Sequence, residues 1–184
     1  MQKAFRDLLL ALLLAVIFVY MIMAAQFESL LQPLIIMFTV PLGFIGVVWG
    51  LAIGKFPVSV PAMVGLIMLA GIVVNNGIVL VDYTNILKKK GYQAEEALLL
   101  AGPVRFRPIM MTALTTILGL IPMAIGSGDG AELQAPMAVA VIGGLVVATA
   151  LTLIVVPVFY LSFDLIGRKR RARKAQKLQA GYEV

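Results

Sequence analysis

The sequence predicts an all-α fold, a polytopic membrane helix bundle of about five transmembrane helices with one short interfacial helix. Three observations carry that prediction. Of the 184 residues, 61% are hydrophobic and only 13% charged, where a soluble domain carries roughly a quarter. The few charges are clustered: Glu28 stands alone between Asp7 and Lys55, and none falls within 56–81 or 108–128. The resulting apolar runs reach about 20 residues, enough to cross a hydrocarbon core of about 30 Å at about 1.5 Å per residue.

Each helix is bounded by its own punctuation. The first, about 5–27, begins after Lys3 and resembles a signal peptide, but its apolar run is too long and leads through Ala24-Ala25-Gln26-Phe27-Glu28 into another apolar segment. Glu28-Ser29 ends it. The second, about 31–53, carries Pro33 near its start and closes at Gly54-Lys55. Pro61 is a good first-turn residue for the third, about 61–87, which Lys88-Lys89-Lys90-Gly91 ends with cations and a following glycine. Residues 93–102 form the short amphipathic helix, with acids in its first turn. The fourth span runs about 104–125 to Gly126-Ser127-Gly128-Asp129-Gly130, and the fifth about 134–163. The chain thus divides into a membrane part, 1–167, and a basic tail, 168–184. Gly46/Gly50 and Gly144/Ala148 are small-residue pairs that permit close helix approach, and Pro41, Pro108, Pro122 and Pro157 fall in or near spans.

Basic residues set the orientation. Five crossings put twelve of them on one side (Lys88, Lys89, Lys90, Arg105, Arg107 and seven of the tail between Arg168 and Lys177) and three on the other (Lys3, Arg6, Lys55). The positive-inside rule places the C-terminus in the cytoplasm and the N-terminus outside, with Asp129 and Glu132 also outside. An N-terminus carrying Lys3 and Arg6 does not readily cross a membrane, so an exported segment is expected to precede residue 1. The tail reads as an anchor on anionic lipid rather than a nucleic-acid site, since no folded basic module accompanies it.

The chemistry is expected in polar groups at membrane depth, each costly unless paired or hydrated. Asn75 and Asn76 are adjacent in the middle of the third span and point about 100° apart, so at least one faces another helix or a watery cavity. An interhelical amide bond and a place on a transport pathway both fit that position. Asp82 lies seven residues past Asn75, on nearly the same face, where it is expected to pair with Arg105 or Arg107 at the boundary. Arg105 and Thr112 share a face of the fourth span, with snorkelling the simplest account of Arg105. Thr112, Thr115 and Thr116 can bond to carbonyls of their own helix. With neither cysteine nor histidine, disulfides, thiolate sites and ordinary zinc or haem sites are not expected, and no cofactor is assigned. Nothing resembles a triad or a nucleotide loop, and an enzyme is not expected.

Several stretches together carry a family likeness: Ala24-Ala25-Gln26-Phe27-Glu28-Ser29, Val40-Pro41-Leu42-Gly43, the run from Gly71 through Val74-Asn75-Asn76-Gly77 to Asp82-Tyr83, the run from Arg105 to Pro122, and Val155-Val156-Pro157-Val158-Phe159-Tyr160. Over about 5–165, in order and spacing, the chain resembles the second-half membrane helices of resistance-nodulation-division (RND) pumps of the hydrophobe/amphiphile efflux type. The resemblance implies a trimeric, proton-driven exporter of the bacterial inner membrane. Its relay opposes two aspartates of the first membrane half with a lysine, a threonine and an arginine of the second. By position, Asn75 takes the lysine place, Thr112 the threonine place and Arg105 the arginine place, with Asn76 beside them. An amide supplies no positive charge, so the ion-pair switch differs here. The aspartates belong to the first half and the substrate-binding porter domains lie elsewhere, so the chain by itself is expected to be inactive. Its expected partners are lipid, protons as coupling ion, and a first-half membrane domain or a second copy. A self-associating assembly bundle and a relative of protein-export membrane subunits are the alternative readings.

Overall fold

The computed structural model describes residues 2–126 and 130–180, with side chains described for 3–126 and 130–162. Ser127, Gly128 and Asp129 of the expected external loop lie outside the described residues, as do 181–184 and the side chains of the basic tail. The described residues are helical apart from short connections: α1 (Gln2–Phe27), α2 (Leu31–Met37), α3 (Thr39–Gly54), α4 (Val60–Lys89), α5 (Ala94–Ile125) and α6 (Ala131–Ala180). Taken together, α2 and α3 make one span, so five spans are long and apolar enough to cross a membrane.

The helix ends follow the expected punctuation closely. Glu28 turns the chain after α1 at φ +48°, and Lys55 does the same after α3 at φ +58°. Past α4, Gly91 sits at φ +100°, donating to the Lys88 carbonyl at 3.0 Å, while the Tyr92 amide donates to that of Leu87 at 3.3 Å. This closure satisfies carbonyls that the helix end would otherwise orphan. Before α5, the Gln93 amide donates to the Glu96 carboxylate at 3.4 Å.

Three elements depart from the sequence reading. The second span is not one helix but breaks at Phe38. Pro41 has no amide to give the Met37 carbonyl, and its ring crowds that carbonyl. The Thr39 hydroxyl takes the neighbouring Ile36 carbonyl at 2.6 Å. The amphipathic segment expected at 93–102 is continuous with the fourth span, forming the single helix α5 through Pro103 and Pro108. Its Ala94, Ala97, Leu98 and Ala101 are buried against Leu87 and Tyr160, and this packing holds the helix together across Pro103. The fifth span likewise continues as α6 beyond 163, to Ala180.

Packed against α3, α4 and α5, α6 is the centre of the bundle. Small residues set the crossing with α3. A Cβ built on Gly46 would lie 2.5 Å from the Gly143 carbonyl oxygen, and one on Gly143 would lie 2.7 Å from the Gly50 Cα. The backbones therefore touch, as the paired small residues predict. The buried apolar residues form two clusters along the bundle. One, toward the end bearing Lys88, includes Ile36, Val74, Leu80, Ile109 and Val156; the other includes Val47, Leu69, Val73, Ala113 and Ala148. At the rim stand α1 and α5, with 6% and 11% of their spans buried against 39–44% for the rest.

Candidate functional site

The candidate residues lie on α4 and α5, which run antiparallel from the short turn at 90–93. Their register is fixed where the Arg105 guanidinium stacks over the Tyr83 ring, 4.5 Å from its centroid. Seven residues is about two turns and about 10.5 Å on either helix, so Asn76 and Thr112 stand at one level, deeper in the bundle.

At that level the adjacent asparagines part company. Asn75 is exposed on the rim of α4, while Asn76 is buried, 4% exposed, with its Nδ2 amide unmet among the described residues. Thr112 is also exposed, and its hydroxyl donates to the Pro108 carbonyl at 2.9 Å. Thr116 repeats the pattern on the Thr112 carbonyl at 2.8 Å. These back-bonds meet the hydroxyl protons and leave lone pairs directed outward. Asn75 and Thr112 therefore present polar atoms on an outer surface of the bundle, at a depth where lipid offers no hydrogen bond.

The boundary pair expected for Asp82 takes a different form. Among the described residues no ion pair joins Asp82 to Arg105 or to the exposed Arg107. The cause is helical geometry: the face of α4 that meets Arg105 is that of Tyr83, about 100° round from Asp82. Arg105 is half-buried, its charge held over an aromatic face and its Nε hydrogen without a protein acceptor.

One polar cluster escaped the sequence reading. Gln32 of α2 and Asn85 of α4 bond reciprocally through their amides, at 3.1 and 2.8 Å, and the Tyr160 hydroxyl of α6 donates to Asn85 Oδ1 at 2.7 Å. Lys88 lies 5.4 Å from the Tyr160 ring centroid. The available signal was a third amide on α4, three residues beyond Asp82, at the end of the bundle that Gln32 also occupies. The cluster ties three helices together at the basic end.

Comparison with known proteins places this bundle. A family model described as AcrB/AcrD/AcrF matches residues 1–164. Multidrug resistance protein MdtC of Proteus mirabilis is 36% identical over 180 residues, covering 97% of this chain and 18% of its own length. MdtC of Erwinia tasmaniensis is 40% identical over 161 residues, covering 87% of this chain and 16% of its own. A crystal structure of a heavy metal efflux pump superposes with a TM-score of 0.81 at 34% identity, over 89% of this chain and 16% of that one. The chain thus spans less than a fifth of the length of these relatives. With the family match running through all five spans, the chain belongs to the AcrB/AcrD/AcrF family of RND efflux transporters.

Proposed function

We propose that this chain supplies the second-half side of the proton relay in a proton-driven pump that exports drugs or other amphiphiles, with Asn75, Thr112 and Arg105 as the relay residues and Asn76 beside them. One observation carries the reading. Asn75 and Thr112 are exposed at a shared level near mid-span, on a rim where, among the described residues, Asn75 has no partner and Thr112 only the Pro108 carbonyl of its own helix. Polar groups there need polar partners from another helix bundle, and the carboxylates of a first-half domain are such partners. An Asn75 amide both donates to a carboxylate and accepts from a protonated one, so it reports protonation without carrying charge. Thr112, its proton already given to Pro108, accepts a hydrogen bond from the protonated acid. Arg105, nearer the basic end, supplies the fixed positive charge that favours release of the proton toward that side.

In this reading the basic end faces the cytoplasm of the bacterial inner membrane and residue 1 the exterior, in keeping with the distribution of lysine and arginine. The MdtC relatives support drugs or amphiphiles as the cargo, and a trimer as the working assembly follows from the family resemblance. The test reconstitutes the chain into vesicles alone and together with a first-half membrane domain and porter domains. Proton-coupled drug movement is expected only in the combined sample, and to be lost with Asn75→Leu or Thr112→Val. Coupled transport by the chain alone, or full activity in both variants, refutes the assignment.

A further inference from the structure

Three buried polar residues lie near the junction of the two apolar clusters of the bundle. On α4 the clusters meet at Val73 and Val74, and Asn76 follows two residues on, ahead of Leu80. On α6, Ala148 belongs to one and Val156 to the other, with Thr149 and Thr152 between them. All three polar residues are more than nine-tenths buried, at 4%, 6% and 1% exposed. Among the described residues, the Asn76 Nδ2, the Thr149 Oγ1 and the Thr152 Oγ1 each lack a hydrogen-bond partner.

Helix register brings these atoms to one place. The helices α4 and α6 run parallel and in contact. A Cβ on Gly65 of α4 would meet the Met137 carbonyl and Ala140, and one on Gly144 of α6 would meet the Leu69 side chain. Toward the basic end Asn85 is bonded to Tyr160. Residues of α6 thus stand some 72 to 75 positions beyond their α4 neighbours at these three points, which sets Asn76 against residues 148–151, level with Thr149 and one residue short of Thr152. On α4, Asn76 follows Leu69 by seven residues and so shares the face turned to α6; on α6, Thr149 precedes Tyr160, which bonds Asn85 of α4, by eleven residues or about three turns, and Thr152 lies about 60° round from Thr149.

We infer that Asn76, Thr149 and Thr152 form a buried water site within the α4–α6 seam, near the middle of the membrane span. Three unmet polar atoms at one level are the kind of group that ordered water bridges inside proteins. Water is the ligand that the donor set selects. An amide N–H needs an acceptor, which a water oxygen provides, while the same water donates to one threonine oxygen and accepts from the other. A bound cation would confront the N–H hydrogens and is disfavoured. Pro157 adds to the polar character of this level, since it leaves the Leu153 carbonyl, next to Thr152, without its amide in α6. The site is distinct from the proposed relay surface, because Asn75 points outward and Asn76 inward.

The test is water-edited solid-state NMR of the 13C,15N-labelled chain in lipid bilayers. Asn76→Leu identifies the side-chain amide signal by removing it. In the wild-type chain the Asn76 amide is expected to receive magnetisation from water at short mixing times, ahead of the side chains of Leu69 and Val156 in the flanking clusters. Thr149→Val with Thr152→Val, which keep side-chain volume, should abolish that early transfer. The proposal is overturned if the wild-type Asn76 amide builds up no faster than the flanking apolar side chains, a result that depends on no variant folding. Early transfer that persists unchanged in the folded double valine variant also overturns it, because the water then does not rest on the threonines.

Discussion

The α3–α6 crossing should fail on the addition of a single methyl group. In Gly46→Ala the new Cβ would lie 2.5 Å from the Gly143 carbonyl oxygen, 2.7 Å from the Val147 Cβ and 2.9 Å from the Gly144 Cα, where ordinary contact begins near 3.4 Å. Two of those three atoms are backbone, so no rotamer change relieves the clash, and the helices must separate by about 0.9 Å, from 2.5 to 3.4 Å. Overpacking of this kind costs about 1–3 kcal/mol. Alanine returns up to about 1 kcal/mol of helix propensity, leaving a net loss of up to about 2 kcal/mol. Gly119→Ala is the matched control, because a Cβ there meets nothing within 4 Å and only the propensity gain remains. Trp49, the one tryptophan, lies on α3 between Gly46 and Gly50 and reports unfolding in mixed micelles by its fluorescence. Equal midpoints for Gly46→Ala and Gly119→Ala would refute the backbone contact at this crossing.

Asn85→Leu removes both amide bonds to Gln32 and the acceptor of Tyr160, and should lower stability in the same assay by about 1–3 kcal/mol; a change below about 0.5 kcal/mol would deny the cluster its role in tying the helices. Pro41→Ala gives the Met37 carbonyl an amide partner, so the new amide at position 41 should resist hydrogen exchange, and rapid exchange there would mean that the break at Phe38 has another cause. Because the chain contains no cysteine, single cysteines at Lys55 and Lys90 give a clean orientation test with impermeant thiol reagents on sealed cells. Labelling from outside at 55 and not at 90 is expected, and the reverse result would invert the proposed topology.

How much of this could be read from the sequence differs by kind of feature. Spans and caps were legible because they rest on local chemistry: uninterrupted apolar length, a glycine after Lys90, a polar break at Glu28. The glycine crossing was legible as a tendency, since Gly46 and Gly50 announce a close approach without naming Gly143 as its partner. The break at Phe38 was harder to see. Pro41 was noted as lying in a span, but prolines at 103 and 108 sit inside an unbroken helix, so proline alone does not decide; the packing around it does. The Arg105–Tyr83 stack and the Gln32–Asn85–Tyr160 cluster depend on pairings between helices, which no single-helix periodicity specifies. The relay candidates were found through family resemblance, whereas the structure adds where each side chain is exposed.

The Asn75-Asn76 pair shows how one dipeptide serves two surfaces. A 100° rotation between neighbours means that one side chain can reach the rim while the other enters the seam, and here Asn75 is exposed and Asn76 is 4% exposed. The neighbours of each are fitted to that division. Gly77, next in the chain, lies against Ile36 of α2, where a Cβ would come within 2.8 Å, so α4 cannot rotate toward α2 to swap the two amides. On the opposite flank the Tyr83–Arg105 stack and the contact of Gly65 with the Met137 carbonyl pin the same helix against α5 and α6. With α4 held on three sides, the outward amide keeps a fixed position on the rim, and the inward amide keeps its place in the seam. Because the two amides are consecutive residues of one helix, any movement of α4 as a body carries both.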